Sequence, residues 1–250
     1  MNYGFYLSAS SVLTAMHRLE VTANNLANVD TTAFKPDVTA VRQRDPERIE
    51  SGAMVEPQLL LERLGGGVWS APSIVNLEQG DIRQTGNPLD IALRGKGFLS
   101  VRNDDTSSGL SRDGRLALRD DGVLVQASSG RPVLDTRGRT ISLDPNTPVR
   151  ILRDGTVRQQ GNDVATLALV MPTDPKQLRK RGDGELLYDG AVGPAAAEVV
   201  SGSVESSAVD PVLAINDLMN ATRAVDLGIR MMQFQDRTMQ QAISVIGKVA

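Results

Sequence analysis

Cysteine is absent from this 250-residue chain. That excludes a disulfide framework, thiolate zinc sites, a cysteine nucleophile and thiol redox chemistry, and it leaves the compartment open, because a disulfide-free protein can live anywhere. Aromatic residues are scarce, four Phe, three Tyr and one Trp, yet a hydrophobic content of 40% is enough for a core. Neither sign of charge dominates: 27 basic and 30 acidic residues leave a net charge of −3. With no basic patch, the sequence offers no electrostatic footprint for nucleic acid or an anionic membrane. Long apolar runs are missing too. "LALVM", Leu167 to Met171, is far short of the ~20 residues that span a bilayer, so a soluble chain without membrane insertion is expected. The first seventeen residues hold no Lys, Arg, Asp or Glu, but Ser8, Ser10, Ser11 and Thr14 interrupt them and no positive segment precedes them, so a cleaved secretory signal is not expected.

Catalytic equipment is equally sparse. The single histidine, His17, sits two thirds along a helical stretch with no second His, no Cys and no carboxylate cluster at ligand spacing, and reads as an ordinary helical residue. No G-x-S-x-G elbow occurs, and "GKGFLS" lacks the final glycine and following helix of a dinucleotide loop. A glycan-cleaving carboxylate pair would suit a β-rich periplasmic protein, but nothing in the sequence aims two carboxylates at one point. No enzyme activity, catalytic residue, metal or cofactor is expected.

What the chain does contain is a helix at each end. Ala9, Val12, Met16, Leu19, Ala23 and Leu26 alternate at three and four residues, predicting a helix from about Tyr3 to Ala27, roughly 37 Å long, with one apolar stripe that needs a partner. Near the other end Asp210 stands where an N-cap belongs and Pro211 at the first helical position. Ile215, Leu218, Thr222, Val225, Ile229, Met232, Asp236, Met239, Ile243 and Ile246 then repeat the alternation, predicting a helix of roughly 58 Å to about Lys248. The low charge of both helices allows burial against other copies without stranding an ion.

Between them the periodicity changes to two. "LDIAL", "RLALR", "GVLVQ", "VRIL" and "TLALVM" read as strands, punctuated by Asp-Gly pairs at Asp113, Asp121, Asp154, Asp183 and Asp189 that supply the positive backbone angles of tight hairpins. A calcium loop is not the reading, since no glutamate closes a D-x-D-G spacing. The expected fold class is α+β: long N- and C-terminal helices pairing as a coiled-coil-like stalk, with a central β-rich domain of short antiparallel strands. The expected divisions are residues 1–37 (helix and exit turn), 38–67 (irregular linker), 68–203 (β-rich domain) and 204–250 (C-terminal helix).

"ANNLANVDTTAFKPD", Ala23 to Asp37, ends the first helix with Asn24, Asn25 and Asn28, residues that bond local backbone and tolerate the left-handed conformation of a closing turn. This stretch resembles the N-terminal motif of the bacterial flagellar axial proteins, the rod and hook subunits. "GDIRQTGNPLDIALRGKGFLSV", Gly80 to Val101, is similar to the segment that opens their β domain, and "VESSAVDPVLAINDLMNATRAVD", Val204 to Asp226, to the one that leads into their C-terminal helix. The three occur in the family's order, and the modest length resembles a basal-body rod protein of the proximal- or distal-rod type more than the hook protein. There are two departures: Ala33 stands where the family usually has glycine, so the turn avoids positive φ or is strained by about 1 kcal/mol, and Val225 stands where tyrosine is common.

The resemblance implies a structural role. Copies would stack into a helical tube that transmits torque, with the terminal helices in its inner core and the β domain outside. The partners would be further copies, other rod and hook proteins and the flagellar export apparatus, which would carry the unfolded chain to the basal body without a cleaved signal. The assembly residues expected on this basis are Val12, Met16, Leu19, Leu26, Asn28, Leu218, Val225, Ile229, Met232, Met239 and Ile243. The alternatives are a hook-type axial subunit, a β-rich adhesin or fibre, and the glycan-cleaving enzyme weighed above.

Overall fold

The computed structural model describes residues 3–43, 67–103, 108–182 and 184–246. It is α+β, with a helix at each end of a region of short antiparallel strands. The chain divides into two compact units: residues 1–27, 37–74 and 210–250 form one, and residues 28–36 and 75–209 the other.

In the helical unit, α1 spans Tyr3–Ala27 and α2 spans Pro211–Ile246. The start of α2 is fixed as the sequence predicts: Asp210 Oδ1 accepts the backbone N–H groups of Val212 and Leu213 at 2.8 and 3.1 Å, satisfying donors that have no partner within the helix. The helices pack antiparallel, since Gly4 and Ser8 meet Gln235, Val12 meets Gly228 and Arg18 meets Asp217.

The α1-facing line of α2 differs from the stripe expected above. The described residues of α2 that are buried or half-buried are Ala214, Leu218, Ala221, Val225, Gly228, Met232 and Gln235, a strict four-three alternation. Leu218, Val225 and Met232 are shared with the expected stripe, but the alternate positions fall one residue earlier, on Ala214, Ala221 and Gly228 rather than Ile215, Thr222 and Ile229. The reason is close approach: a Cβ on Gly228 would stand 2.3 Å from Val12 Cγ2. Small residues let the backbones near each other, and the larger Ile215 and Ile229 are left outside, 47 and 38% exposed.

A second face of α1, in place of one stripe alone, is also packed. Strand Val68–Ser70, paired with Val41–Gln43, lies against α1, with Gly67 beside Ser10 and Leu7. Thr14 is buried there, its hydroxyl donating to Ser10 O at 2.9 Å, so a polar side chain is buried without losing its hydrogen bond. Val41–Gln43 falls in the span expected as irregular linker, whereas Val68–Ser70 falls at the start of the span expected as β-rich domain; residues 44–66 of the linker span lie outside the described residues.

In the β unit, a six-stranded antiparallel sheet runs in the order Arg179–Gly182, Glu185–Leu187, Ser108–Ser111, Phe98–Arg102, Leu169–Pro172, Val192–Pro194. A three-stranded meander, Val149–Ile151, Thr156–Gln159 and Asn162–Thr166, and smaller pairs complete it. Ile91, Leu93, Leu99, Leu124, Val133, Val157 and Leu167 form the aliphatic core, and Phe98, Leu110 and Leu186 a second cluster. Within "LDIAL", Ile91, Ala92 and Leu93 are all buried, so this strand is covered on both faces. "TLALVM" is divided: Thr166 closes the meander, Leu167 bridges to Asp135, and Leu169 enters the six-stranded sheet. Of the Asp-Gly pairs, Gly122, Gly155 and Gly184 have positive φ, while Gly114 and Gly190 do not; Asp183 lies outside the described residues. Gly114 is required for space instead, since its Cβ would meet Ile91 O at 1.8 Å.

The Val12–Gly228 contact gives a test. Alanine is a better helix former than glycine by about 1 kcal/mol, but a methyl group here overpacks a tight crossing, at about 1–3 kcal/mol. Gly228→Ala is therefore expected to lower the helical melting temperature by circular dichroism, and adding Val12→Ala to recover more than the two single changes sum to.

Candidate assembly surfaces and a buried joint

The asparagine run is the first place where the residues after α1 are held. Asn25 hydrogen-bonds Asp37 twice, donating from Nδ2 to the backbone O at 2.8 Å and accepting the backbone N–H at 3.0 Å. One amide side chain thus mimics a strand partner. Asn28 Oδ1 accepts from the Thr31 hydroxyl at 3.1 Å, and Asn28 O accepts from Thr31 N. Asn28, a residue type that tolerates the left-handed conformation, does not adopt it here. The positive φ falls five residues later, on Ala33 at 57°. The turn is therefore the strained alternative posed by the sequence, and the strain is held by a hydrogen bond from Ala33 N to Glu205 O at 2.8 Å.

Residues 28–36 are bound into the β unit at several further points. Phe34 O accepts from Ala208 N at 3.0 Å, Pro36 O from Asn76 N at 2.8 Å, and the Lys180 ammonium stands 4.1 Å from the Phe34 ring centre. The strongest tie is ionic. Lys35 Nζ donates to Glu205 Oε1 at 2.5 Å and to Glu78 O at 2.6 Å, while Arg112 Nε donates to Glu205 Oε2 at 2.9 Å. Gly80 N also donates to Glu205 Oε1, and the remaining Arg112 nitrogens donate to the carbonyls of Gly97, Gly95 and Leu93. Lys35, Arg112 and Glu205 are 4, 5 and 0% exposed, so two cations and one anion are almost wholly out of water.

Such a cluster is tolerable only because nearly every donor has an acceptor. Burial is the main influence on the Lys35 ammonium and pushes its pKa below the ordinary 10.5, against the opposing hydrogen bond and charge of Glu205. The sequence reading named neither Lys35 nor Glu205 nor Arg112 as functional. A lysine before proline in "TTAFKPD" is no signal of burial, and the partners lie as far as 170 residues away in sequence.

The expected assembly residues are distributed as follows. Val12 is buried, and Leu19, Leu26, Asn28, Leu218, Val225 and Met232 are half-buried. Met16, Ile229, Met239 and Ile243 are exposed. Leu218, Val225 and Met232 are on the α1-facing line of α2. Met239 and Ile243 continue near that line past Gln235, beyond the point where the described part of α1 begins.

The features an enzyme would need are poorly represented. His17 borders an open groove of about 510 Å³ with Trp69, Ser70, Ala71, Pro72 and Ser73, and no carboxylate among the described residues lines it. Among the described residues, no group of His, Cys, Asp or Glu could hold a metal ion, and no helix is long and apolar enough to cross a membrane.

Comparison with known proteins follows the same geography. Residues 9–35 match the family model described as flagella basal body rod protein, residues 92–159 the flagellar hook protein FlgE/F/G D1 domain, and residues 200–245 the flagellar basal body rod FlgEFG protein C-terminal region. Each matched region contributes one member of the ion cluster: Lys35, Arg112 and Glu205 in turn. Over its whole length the chain is 32% identical to the flagellar basal-body rod protein FlgF of Caulobacter vibrioides, with all of both chains covered. It is 27% identical to the FlgF of Escherichia coli, covering 94% of this chain and 95% of that one. It is 26% identical to the flagellar basal-body rod protein FlgG of Caulobacter vibrioides, covering 93 and 95%.

Two expectations come from the joint. Glu205→Gln leaves two buried cations without their anion and is expected to cost about 3–5 kcal/mol in chemical denaturation of the β unit. Lys35→Met leaves a balanced Arg112–Glu205 pair and should cost clearly less. In the pH window between the lowered Lys35 pKa and 10.5, the unfolded chain binds more protons than the folded one, so stability rises with pH; the wild type should gain on Lys35→Met across that window. Ala33→Gly should stabilise by up to about 1 kcal/mol in the same assay, because glycine takes the left-handed φ without strain.

Proposed function

The chain belongs to the flagellar basal-body rod proteins, and from that premise we propose that its copies assemble with other rod and hook subunits into a helical tube that crosses the periplasm and transmits torque. The role as a structural subunit of the rod follows from the family itself. The observation that carries it is the end-to-end alignment at 32% identity, which includes both helices and the β region.

The proposed division of labour places α1 and α2, as a coiled-coil-like stalk within residues 1–37 and 204–250, in the inner core. The β-rich region within 68–203 forms the outer layer, with 38–67 between them. The four-three spacing of the α1-facing line supports the stalk. The large apolar residues left exposed on both helices support burial against neighbours. Export of the unfolded chain by the flagellar apparatus, without a cleaved signal, is part of the same reading. A structural subunit needs neither cofactor nor active site. The hook-type alternative is less well supported, because relatives named as rod proteins align along nearly the whole chain.

The experiment is deletion and complementation. Cells lacking the chain are expected to lose swimming and to yield basal bodies with truncated rods, and a tagged copy should restore both and co-purify with the rod. Normal swimming and full-length rods in the deletion strain would refute the role.

A further inference from the structure

We propose that edge strands of the β unit are built to refuse a further strand, so that copies held close together do not pair sheet to sheet. The residues with this role are Arg179, Lys180 and Arg181 on one edge, Pro194 on a second, and Asp163 with Val164 on a third. An outermost strand carries a row of backbone N–H and C=O groups that a strand of another chain can bond, which makes an open edge a template for aggregation. The inference goes beyond the rod reading and does not depend on it.

Among the described residues, the six-stranded sheet ends on Arg179–Gly182 at one side and on Val192–Pro194 at the other. The first of these strands holds three cations in succession. Lys180 pairs with Leu186, so the two side chains share a face; Leu186 belongs to the second apolar cluster, and the Lys180 ammonium stands over the Phe34 ring. A charge on the core-facing side of an edge strand is tolerated while the edge meets water, and a strand laid beside it would desolvate that charge. Arg181 is the extra residue of a bulge, since Lys180 faces Leu186 and Gly182 faces Glu185 with nothing between those partners, and the bulge breaks the regular spacing of donors and acceptors.

The second edge is protected by other means. Ala195 N donates to Leu169 O and Ala191 O accepts from Thr173 N, so residues 191 and 195 turn their polar groups inward, and the alternation turns those of Val192 and Pro194 outward. Proline has no N–H. Pro194 therefore removes a donor from the outer row without costing the sheet a hydrogen bond. The third edge is Asn162–Thr166, the outer strand of the three-stranded meander. Val157 faces Ala165 and Arg158 faces Asp163, which leaves Val164 as the extra residue of a second bulge. Asp163 beside it is exposed and accepts from Arg158 Nε at 2.6 Å. Charge alone would leave the outer backbone groups in place; the proline and the two bulges act on the backbone itself.

The test uses full-length variants, Arg179→Val with Lys180→Val on the first edge and Pro194→Val on the second, compared with the wild type by sedimentation and thioflavin T fluorescence after incubation at high concentration. Circular dichroism and the denaturation midpoint identify the variants that are native. Pro194 is exposed, so Pro194→Val keeps the fold and decides the question even where the first variant fails to fold. Native variants are expected to lose monomer to thioflavin-positive, strand-paired aggregates. The wild type should give no such signal, and neither should Pro194→Lys, which regains the N–H but sets a charge on the edge. Native Pro194→Val as free of thioflavin signal as the wild type would overturn the proposal, as would Pro194→Lys aggregating as fast as Pro194→Val.

Discussion

The ion cluster of Lys35, Glu205 and Arg112 is the constraint on which the β unit's borders depend. One buried carboxylate is shared by a lysine from the segment after α1, an arginine from the middle of the β unit and a backbone N–H at Gly80. Removing the carboxylate leaves both cations without an anion, in a medium where an unpaired ion costs several kcal/mol. The cluster also holds together segments far apart along the chain, since Lys35, Gly80 and Arg112 all donate to the one Glu205 carboxylate. The strained φ of Ala33 is tolerated for the same reason, since Ala33 N is bonded to the backbone of Glu205 itself.

Those segments are the sequence stretches that carry the family resemblance. "TTAFKPD" supplies Lys35, "VESS" supplies Glu205, and the stretch from Gly80 to Val101 supplies the N–H of Gly80 and the carbonyls of Leu93, Gly95 and Gly97. Motifs far apart along the chain are thus parts of one three-dimensional object. Their shared position gives a physical reason for residues that look unremarkable singly: a glycine pair exposes carbonyls to a guanidinium, and a glutamate in a strand of three residues closes the site.

Much of the architecture was legible in the sequence because it is local. The bounds of α1 and the Asp210 cap of α2 follow from side-chain spacing and from donors within a turn or two. The strands of the middle were legible for the same reason, although "TLALVM" concealed a change of sheet that no short-range pattern marks. What could not be read was set by distance or by shape. The α1-facing line runs through Ala214, Ala221 and Gly228 because backbones approach closely there, whereas hydrophobicity alone favours Ile215 and Ile229. The second packed face of α1 was hidden because its Ser and Thr hydroxyls bond back to their own helix and so can be buried. The ion cluster was invisible because its members look like surface residues until the fold brings them together.

The central claim is that residues 28–36 are an integral part of the β unit, locked by the Glu205 carboxylate. Native-state hydrogen exchange of the Ala33 and Ala208 amides tests it most directly, since these donate to Glu205 O and Phe34 O across the joint. The account predicts that both exchange only with global unfolding of the β unit, at the rate of core amides such as that of Leu124. Exchange of Ala33 and Ala208 at the rate of an open loop, with Leu124 still protected, would contradict it.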